Sequence, residues 1–99
     1  MKRLDVSQAA HDDLREIAGY TERTWGPAQK LRYMGEIQTL FARLRDGTNV
    51  GRQRDDIGLA YRSVNVGRHI VFYKETEEAF IIVRILHERM DLHRRLAEE

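Results

Sequence analysis

The sequence predicts an α+β fold in the order β-α-α-β-β-β, a helical hairpin packed on a small antiparallel sheet. Three observations carry this. Lys2–Val6 alternates apolar and polar residues with period two. Two amphipathic stripes of helical period follow, parted only by Gly26-Pro27. From Leu59 to Leu86 the period returns to two, broken by turn signals.

In Lys2–Val6, Leu4 and Val6 share one face, and Arg3 and Asp5 the other. Ser7 then has the chemistry of an N-cap, its hydroxyl accepting from an orphan amide of the first turn. Asp12 and Asp13 are expected to favour the positive end of the helix dipole. Ala10, Leu14, Ile17 and Thr21, extended by Ala18 and Trp25, form the apolar stripe of a helix over roughly 8–24. Gly26 reverses the chain and Pro27 suits the first turn of a second helix. Its stripe is Ala28, Leu31, Met34, Ile37 or Gln38, Phe41 and Leu44, ending at Asp46-Gly47. So short a break makes the pair an antiparallel hairpin.

Thr48–Gly58 is a polar connector rich in Gly and Arg. Leu59–Val66 alternates loosely, Asn65-Val66-Gly67 reads as a turn, and Arg68–Glu75 alternates well. Glu75-Thr76-Glu77-Glu78 is a polar hairpin loop, and Ala79–Leu86 is almost continuously apolar, as a strand covered on both faces would be. Asp91–Leu96 suits a short terminal helix capped by Asp91. If Ile70 and Phe72 face the helices, Val71 and Tyr73 face away, and that second apolar face needs a cover. The expected core is Trp25, Met34, Phe41, Ile70 and Phe72.

Composition narrows the function classes. Ninety-nine residues suit one domain, 1–99. The absence of Cys excludes disulfides, thiolate metal sites and Cys nucleophiles. Seventeen Lys and Arg against 16 Asp and Glu give +1, no electrostatic footprint for direct DNA binding. No apolar run is long enough to span a membrane, and Leu4-Asp5-Val6-Ser7-Gln8 supplies no apolar stretch for a signal peptide, so the expected address is cytoplasmic. Fourteen Arg against three Lys fit either GC-rich codon usage or planar donors for carboxylate and phosphate partners.

No metal site, cofactor motif or catalytic constellation stands out. His87 and His93 lack ligand spacing, His87-Glu88-Arg89 is no zincin motif, and Gly47, Gly51, Gly58 and Gly67 form no phosphate loop. Asp55-Asp56 reads as a turn. One basic and aromatic set remains: Tyr61, Arg62, Arg68, His69, Tyr73, Arg84, His87 and Arg89. Converging on one sheet edge, it would supply an acid/base and a phosphate clamp for RNA cleavage. The plainer reading is a solvated, salt-bridged surface.

Several strings in order resemble the ParE branch of the RelE/ParE toxin superfamily. They are Tyr20-Thr21-Glu22-Arg23-Thr24-Trp25-Gly26, Gly51-Arg52-Gln53-Arg54-Asp55-Asp56, Tyr61-Arg62-Ser63, Val66-Gly67-Arg68-His69-Ile70-Val71-Phe72-Tyr73 and Ile85-Leu86-His87-Glu88-Arg89-Met90-Asp91. The resemblance runs almost end to end. It implies the toxin of a type II toxin–antitoxin module, a ParD-like antitoxin as partner, and inhibition of DNA gyrase by binding rather than by catalysis. The RelE branch implies an alternative, ribosome-dependent mRNA cleavage, and a third reading is a non-toxic remnant that only binds its antitoxin.

Arg68 and Arg89 fall where ribonucleolytic relatives carry functional Arg. Their Lys pair is not matched: Arg62 stands for one and Val64 occupies the other place. Their C-terminal Tyr is missing, the last Tyr being Tyr73, with His93 as a substitute of unfixed register. These departures favour gyrase. The candidate target-binding residues are Arg68, Arg84, His87, Arg89 and Met90, where the last strand enters a polar tail. The candidate antitoxin-binding residues are Leu14, Ala18, Met34, Val71 and Tyr73, covered by an apolar helix of the antitoxin that continues along the sheet.

Overall fold

A computed structural model describes residues 2–56, 60–90 and 95–96. The elements are β1 (Arg3–Val6), α1 (Gln8–Trp25), α2 (Pro27–Asp46), β2 (Arg52–Gln53), β3 (Arg62–Val66), β4 (His69–Glu75) and β5 (Ala79–His87). The expected order is present, with one short strand, β2, inside the segment read as a connector. The sheet runs β1-β5-β4-β3-β2. β2 to β5 are antiparallel to their neighbours, and β1 joins the edge of β5 in parallel, making the sheet mixed.

The helices start and stop where their chemistry dictates. The Ser7 hydroxyl accepts from the Ala10 amide at 3.0 Å and donates to the Val83 carbonyl at 2.7 Å. One side chain thus caps α1 and fastens it to β5. Gly26, at φ 92°, joins the helices in a conformation that L side chains rarely adopt, and Pro27 opens α2. Asp12 and Asp13 fall after the first turn of α1, which has no acidic residue, so the dipole role expected of them does not hold. Asp12 instead pairs with exposed Arg15.

Asp13 is buried and does different work. Its Oδ2 accepts from Arg84 Nε at 2.8 Å and from the Ile85 amide at 2.9 Å, while Oδ1 accepts from Arg84 Nη2 at 2.9 Å. β1 pairs with β5 only as far as Ile82. Ser7 then covers the carbonyls of Ile82 and Val83, its amide donating to the first at 2.9 Å. The Asp13 carboxylate takes the Ile85 amide beyond. Strand, cap and carboxylate together satisfy one edge of β5.

Two cores flank the sheet. Under the helices lie Ala10, Ile17, Ile37, Leu40, Phe41, Leu44, Val71, Tyr73, Ile82 and Ile85. On the far face lie Tyr61, Ile70, Phe72, Val83, Leu86 and Leu96. This reverses the expected faces of β4: Val71 and Tyr73 face the hairpin, and Ile70 and Phe72 face away. Both sets are apolar, so alternation could not rank them. An irregularity in the β4–β5 pairing opposite Phe72/Tyr73 also shifts the phase of β5, putting Ile82 and Ile85 on the helix side and Val83 and Leu86 on the other.

The second face is covered from within the chain. Leu96 is buried on it, and the Arg54 guanidinium lies over the Phe72 ring at 5.6 Å. Arg54 is buried, forks onto Asp56 with two 2.9 Å bonds, and reaches Ser63 Oγ at 3.2 Å. This pairing pulls the exposed Asp56 carboxyl down to about 2. Asp55-Asp56 is a turn, as expected. The expected strand start at Leu59, and Asp91–Arg94 of the expected terminal helix with His93, lie outside the described residues.

Trp25 departs from the expected core: it is 70% exposed, and Leu31 is 71% exposed. Both sit around the tip of the hairpin, where the stripe continues but has no core to meet. Met34 is half-buried against the helix-side core. Phe41, Ile70 and Phe72 are buried as expected.

Phe41→Ala should destabilise the fold by about 3–5 kcal/mol in chemical denaturation, the cost of a large buried ring and the cavity it leaves. Asp13→Ala should cost about 3 kcal/mol or more, because it strands a buried guanidinium and an amide. The double variant Asp13→Leu, Arg84→Met should recover much of that loss. A double variant no more stable than Asp13→Ala would show that the Ile85 bond, not the ion pair, carries the effect.

Candidate functional site

The hairpin tip and the β3–β4 turn meet at one corner of the molecule. Gly67-Arg68 forms the two-residue turn, with Gly67 at φ 54° as the first central residue of a type II′ hairpin requires. A Cβ at Gly67 would come within 2.7 Å of the Tyr33 ring, so Gly there also lets α2 approach. Tyr33 Oη lies 2.9 Å from the Val66 carbonyl, to which it donates, and 2.6 Å from His69 Nδ1. His69 and His87 are directly opposed on β4 and β5, their rings edge to face with centroids 5.5 Å apart.

Around this floor lie Tyr20, Thr21, Trp25, Arg68 and Arg89, enclosing a concavity of about 400 Å³. A second concavity shares Tyr20, His69 and His87 and reaches Arg15, Arg23 and Met90. Tyr20 is 60% and Met90 39% exposed, so with Trp25 the corner holds three large exposed apolar groups. Arg68 reaches Glu88 at 3.2 Å on the open surface. The Arg89 amide donates to His87 Nδ1 at 3.1 Å.

Electrostatics follow from this half-buried floor. Burial, and secondarily the neighbouring His87, hold the His69 imidazole below its ordinary range, so it is neutral at pH 7. Burial, reinforced by Glu36, pushes the Tyr33 phenol up and keeps its proton. Among the described residues, no group of three or more His, Asp or Glu side chains is arranged to hold a metal ion.

The candidate target residues therefore divide. Arg68, His87, Arg89 and Met90 share the corner. Arg84 does not: it is committed to Asp13, and its Nη1 reaches the Arg95 carbonyl at 3.5 Å. Of the antitoxin candidates, Leu14, Ala18 and Met34 are half-buried on the two helices, available to a partner at their outer edges. Val71 and Tyr73 are 0% and 1% exposed beneath the hairpin and cannot be a docking surface. Tyr73 Oη also accepts from the Gly51 amide at 2.7 Å.

The broader basic and aromatic set disperses as well. Arg62 bonds the Gly51 carbonyl at 3.0 Å, away from the corner. Tyr61 lies on the opposite face, under Lys74. Sequence reasoning missed Tyr20 and Tyr33 as site residues and misplaced Trp25 in the core. The available signal was their grouping within one helical turn or two of Gly26-Pro27, where a stripe runs past the sheet.

Comparisons with known proteins agree with this architecture. A family model described as the ParE toxin of the type II toxin–antitoxin system, parDE, matches residues 4–92. Toxin ParE1 of Mycobacterium tuberculosis is 39% identical over 95 residues, covering 95% of this chain and 97% of that protein. Toxin ParE of Escherichia coli is 40% identical over 94 residues, covering 94% of this chain and 91% of that protein. Among solved structures, a chain of the chromosomal ParDE system from P. aeruginosa shares the fold at a TM-score of 0.75, with 19% identity over 88% of this chain and 96% of that one. The chain belongs to the ParE toxin family of type II toxin–antitoxin systems.

Proposed function

We propose that this toxin acts in the cytoplasm by docking on DNA gyrase through the Trp25–Arg89 corner and is held inactive by a ParD-like antitoxin. One observation carries the reading: Tyr20, Trp25 and Met90 stand exposed beside Arg68 and Arg89 at one corner. Trp, Tyr and Arg are the residues that dominate protein–protein hot spots, and an exposed cluster of them is costly unless a partner covers it. Gyrase as that partner comes from the family. The same geometry supports binding over RNA cleavage, because Arg62 and Arg84 are occupied elsewhere and do not converge with Arg68 and Arg89 on one phosphate.

The antitoxin needs a different surface. The seam between α1 and α2 offers Leu14, Ala18 and Met34, and Leu31 adds an exposed apolar side chain on α2. An amphipathic helix laid along that seam would bury them in the manner of helix-in-groove recognition. Its path along the sheet is the edge of the helical layer, since Val71 and Tyr73 are already covered.

Supercoiling by purified gyrase tests the target. The wild-type chain should inhibit, and Arg89→Ala should lose about tenfold or more of that inhibition, the typical cost of removing an interfacial Arg. The variant should keep its melting temperature and its affinity for the antitoxin. Unchanged inhibition by Arg89→Ala would move the target surface elsewhere. Failure of the wild type to inhibit, with mRNA cleaved on ribosomes instead, would replace the gyrase reading with the nuclease one. For the antitoxin, hydrogen exchange should show new protection at Leu14, Ala18 and Leu31 on complex formation, and its absence would remove the seam as the docking site.

A further inference from the structure

Among the described residues, β1 pairs with β5 on one side and with no strand on the other. The Arg3 amide donates to the Glu78 carbonyl at 3.0 Å, and the Ser7 amide to the Ile82 carbonyl at 2.9 Å. Alternation along the strand turns the Asp5 backbone the same way. Leu4 and Val6 therefore aim their amides and carbonyls away from β5, out of the sheet. Such a row of backbone groups is a template for another strand, and β1 carries neither Pro nor a bulge to blunt it. Lys2, at its start, is drawn onto Glu75 and the Phe80 ring. The opposite edge of the sheet is β2, only two residues long.

The side chains of β1 select what can pair there. Leu4 and Val6 pack on the helix side, against the core. Arg3 and Asp5 lie on the other face with side chains 64% and 46% exposed. They touch each other at 3.3 and 3.4 Å, a loose contact that contributes little in water. When β1 meets β1 of a second copy in antiparallel, outward-facing residues must oppose outward-facing residues. With the two-fold axis at Leu4, Leu4 opposes its own copy, Lys2 opposes Val6, and Arg3 opposes Asp5 on both sides of the axis. Opposite charges then stand directly across from one another, a favourable cross-strand pair. With the axis at Asp5, two carboxylates would be opposed, which is unfavourable. With the axis at Val6, Leu4 would have to pair with Gln8, already the first residue of α1. The Leu4 register alone satisfies backbone and charge together. A concavity of about 230 Å³ lies between Leu4 and α2, walled by Gln38, Phe41, Ala42 and Arg45. In that register the Leu4 side chain of the second copy falls on the same face, beside it.

We propose that the β1 edge is a dimer interface, at which two copies of this chain join through antiparallel β1 strands centred on Leu4 to make one continuous sheet. About six backbone hydrogen bonds, two for each outward-facing pair, hold it together with an Arg3–Asp5 pair on each side of the axis. The contact buries less than a standard interface of about 1,600 Å² in total, so the dimer is weak and concentration-dependent. Pairing also covers an edge that would otherwise invite less specific strand addition. The proposal does not rest on the gyrase reading: its interface is the β1 backbone, whereas the target corner lies between the hairpin tip and the β3–β4 turn.

Sedimentation of the chain freed of its antitoxin, over a concentration series, should show a monomer–dimer equilibrium with a dissociation constant below about 200 μM. Asp5→Arg leaves only positive charges across the axis and Arg3→Asp only negative ones. Each variant alone should dimerise at least about tenfold more weakly. An equimolar mixture of the two should restore association, because each strand then meets its opposite. Thermal melts matching the wild type establish that both variants are folded. The chain has no Cys, so Leu4→Cys carries a single thiol, and mild oxidation should link two copies through it at the Cα spacing of a disulfide. A wild-type chain that stays monomeric to about 1 mM overturns the proposal, and so does a mixture of the charge variants that fails to associate. Hydrogen-exchange protection of the Leu4 and Val6 amides that arises only with the antitoxin bound assigns the edge to an antitoxin strand and overturns it as well.

Discussion

The fold depends on a carboxylate placed at the open edge of β5. β1 is only four residues long, and past Ile82 the central apolar strand would have unpaired backbone groups. Ser7 and Asp13, two side chains of the first turns of α1, take over where β1 stops. A buried amide without an acceptor costs about 1–3 kcal/mol, so this edge fixes both the height and the rotation of α1 on the sheet. Arg84 makes the arrangement tolerable electrostatically. Its fork neutralises the buried carboxylate and, through Arg95, extends to the terminal segment that brings Leu96 onto the far face. One ion pair thus stands between the two cores.

This commitment explains how the arginines are shared out. Arg54 lies on the Phe72 ring and clamps the Asp56 turn, Arg62 holds the Gly51 carbonyl, and Arg84 anchors α1. Arg54 and Arg84 each reach three acceptor atoms at once, which a Lys point charge would serve poorly. The excess of Arg over Lys is therefore partly architectural. Arg68 and Arg89, at the rim of the corner, are exposed and take no part in this framework.

Much of the fold was legible because its signals are local. The Ser7 cap, the Gly26-Pro27 break, the αL Gly47 stop and both helical stripes set α1 and α2 to within a residue or two. Three features were not legible, each for a nonlocal reason. The parallel seat of β1 depends on a strand more than seventy positions away in the chain. The faces of β4 could not be ranked while Ile70, Val71, Phe72 and Tyr73 were all apolar, and the phase shift in β5 leaves no mark in composition. The exposure of Trp25 depends on where the sheet ends under the hairpin, which helical periodicity does not encode. At the candidate site, His87, Arg89 and Met90 were found as a chain-order cluster, and Arg68 by its expected place on the neighbouring strand. Tyr20 and Tyr33 come from helices, and only the packing of Tyr33 on Gly67 brings them alongside.

Arg84 and Arg89 look alike in sequence, both near the end of an apolar strand, and the structure separates them by what each costs to leave unpaired. Arg84 is nearly enclosed, so its charge must be met inside the protein, and a change there is felt first as stability. Arg89 is exposed, so its charge is met by water in the free chain and contributes little to folding. The same holds for Trp25, Tyr20 and Leu31: their apolar surface is not used by the fold, and a polar residue at any of the three would leave the core untouched. Exposed aromatic area with no structural return is the kind of surface that a partner's burial would account for. The edge of β5 at Arg84 and Ile85 and the corner beyond His87 are thus neighbours at one end of the strand under opposite constraints, the first closed by Asp13 and the second left open to whatever the toxin binds.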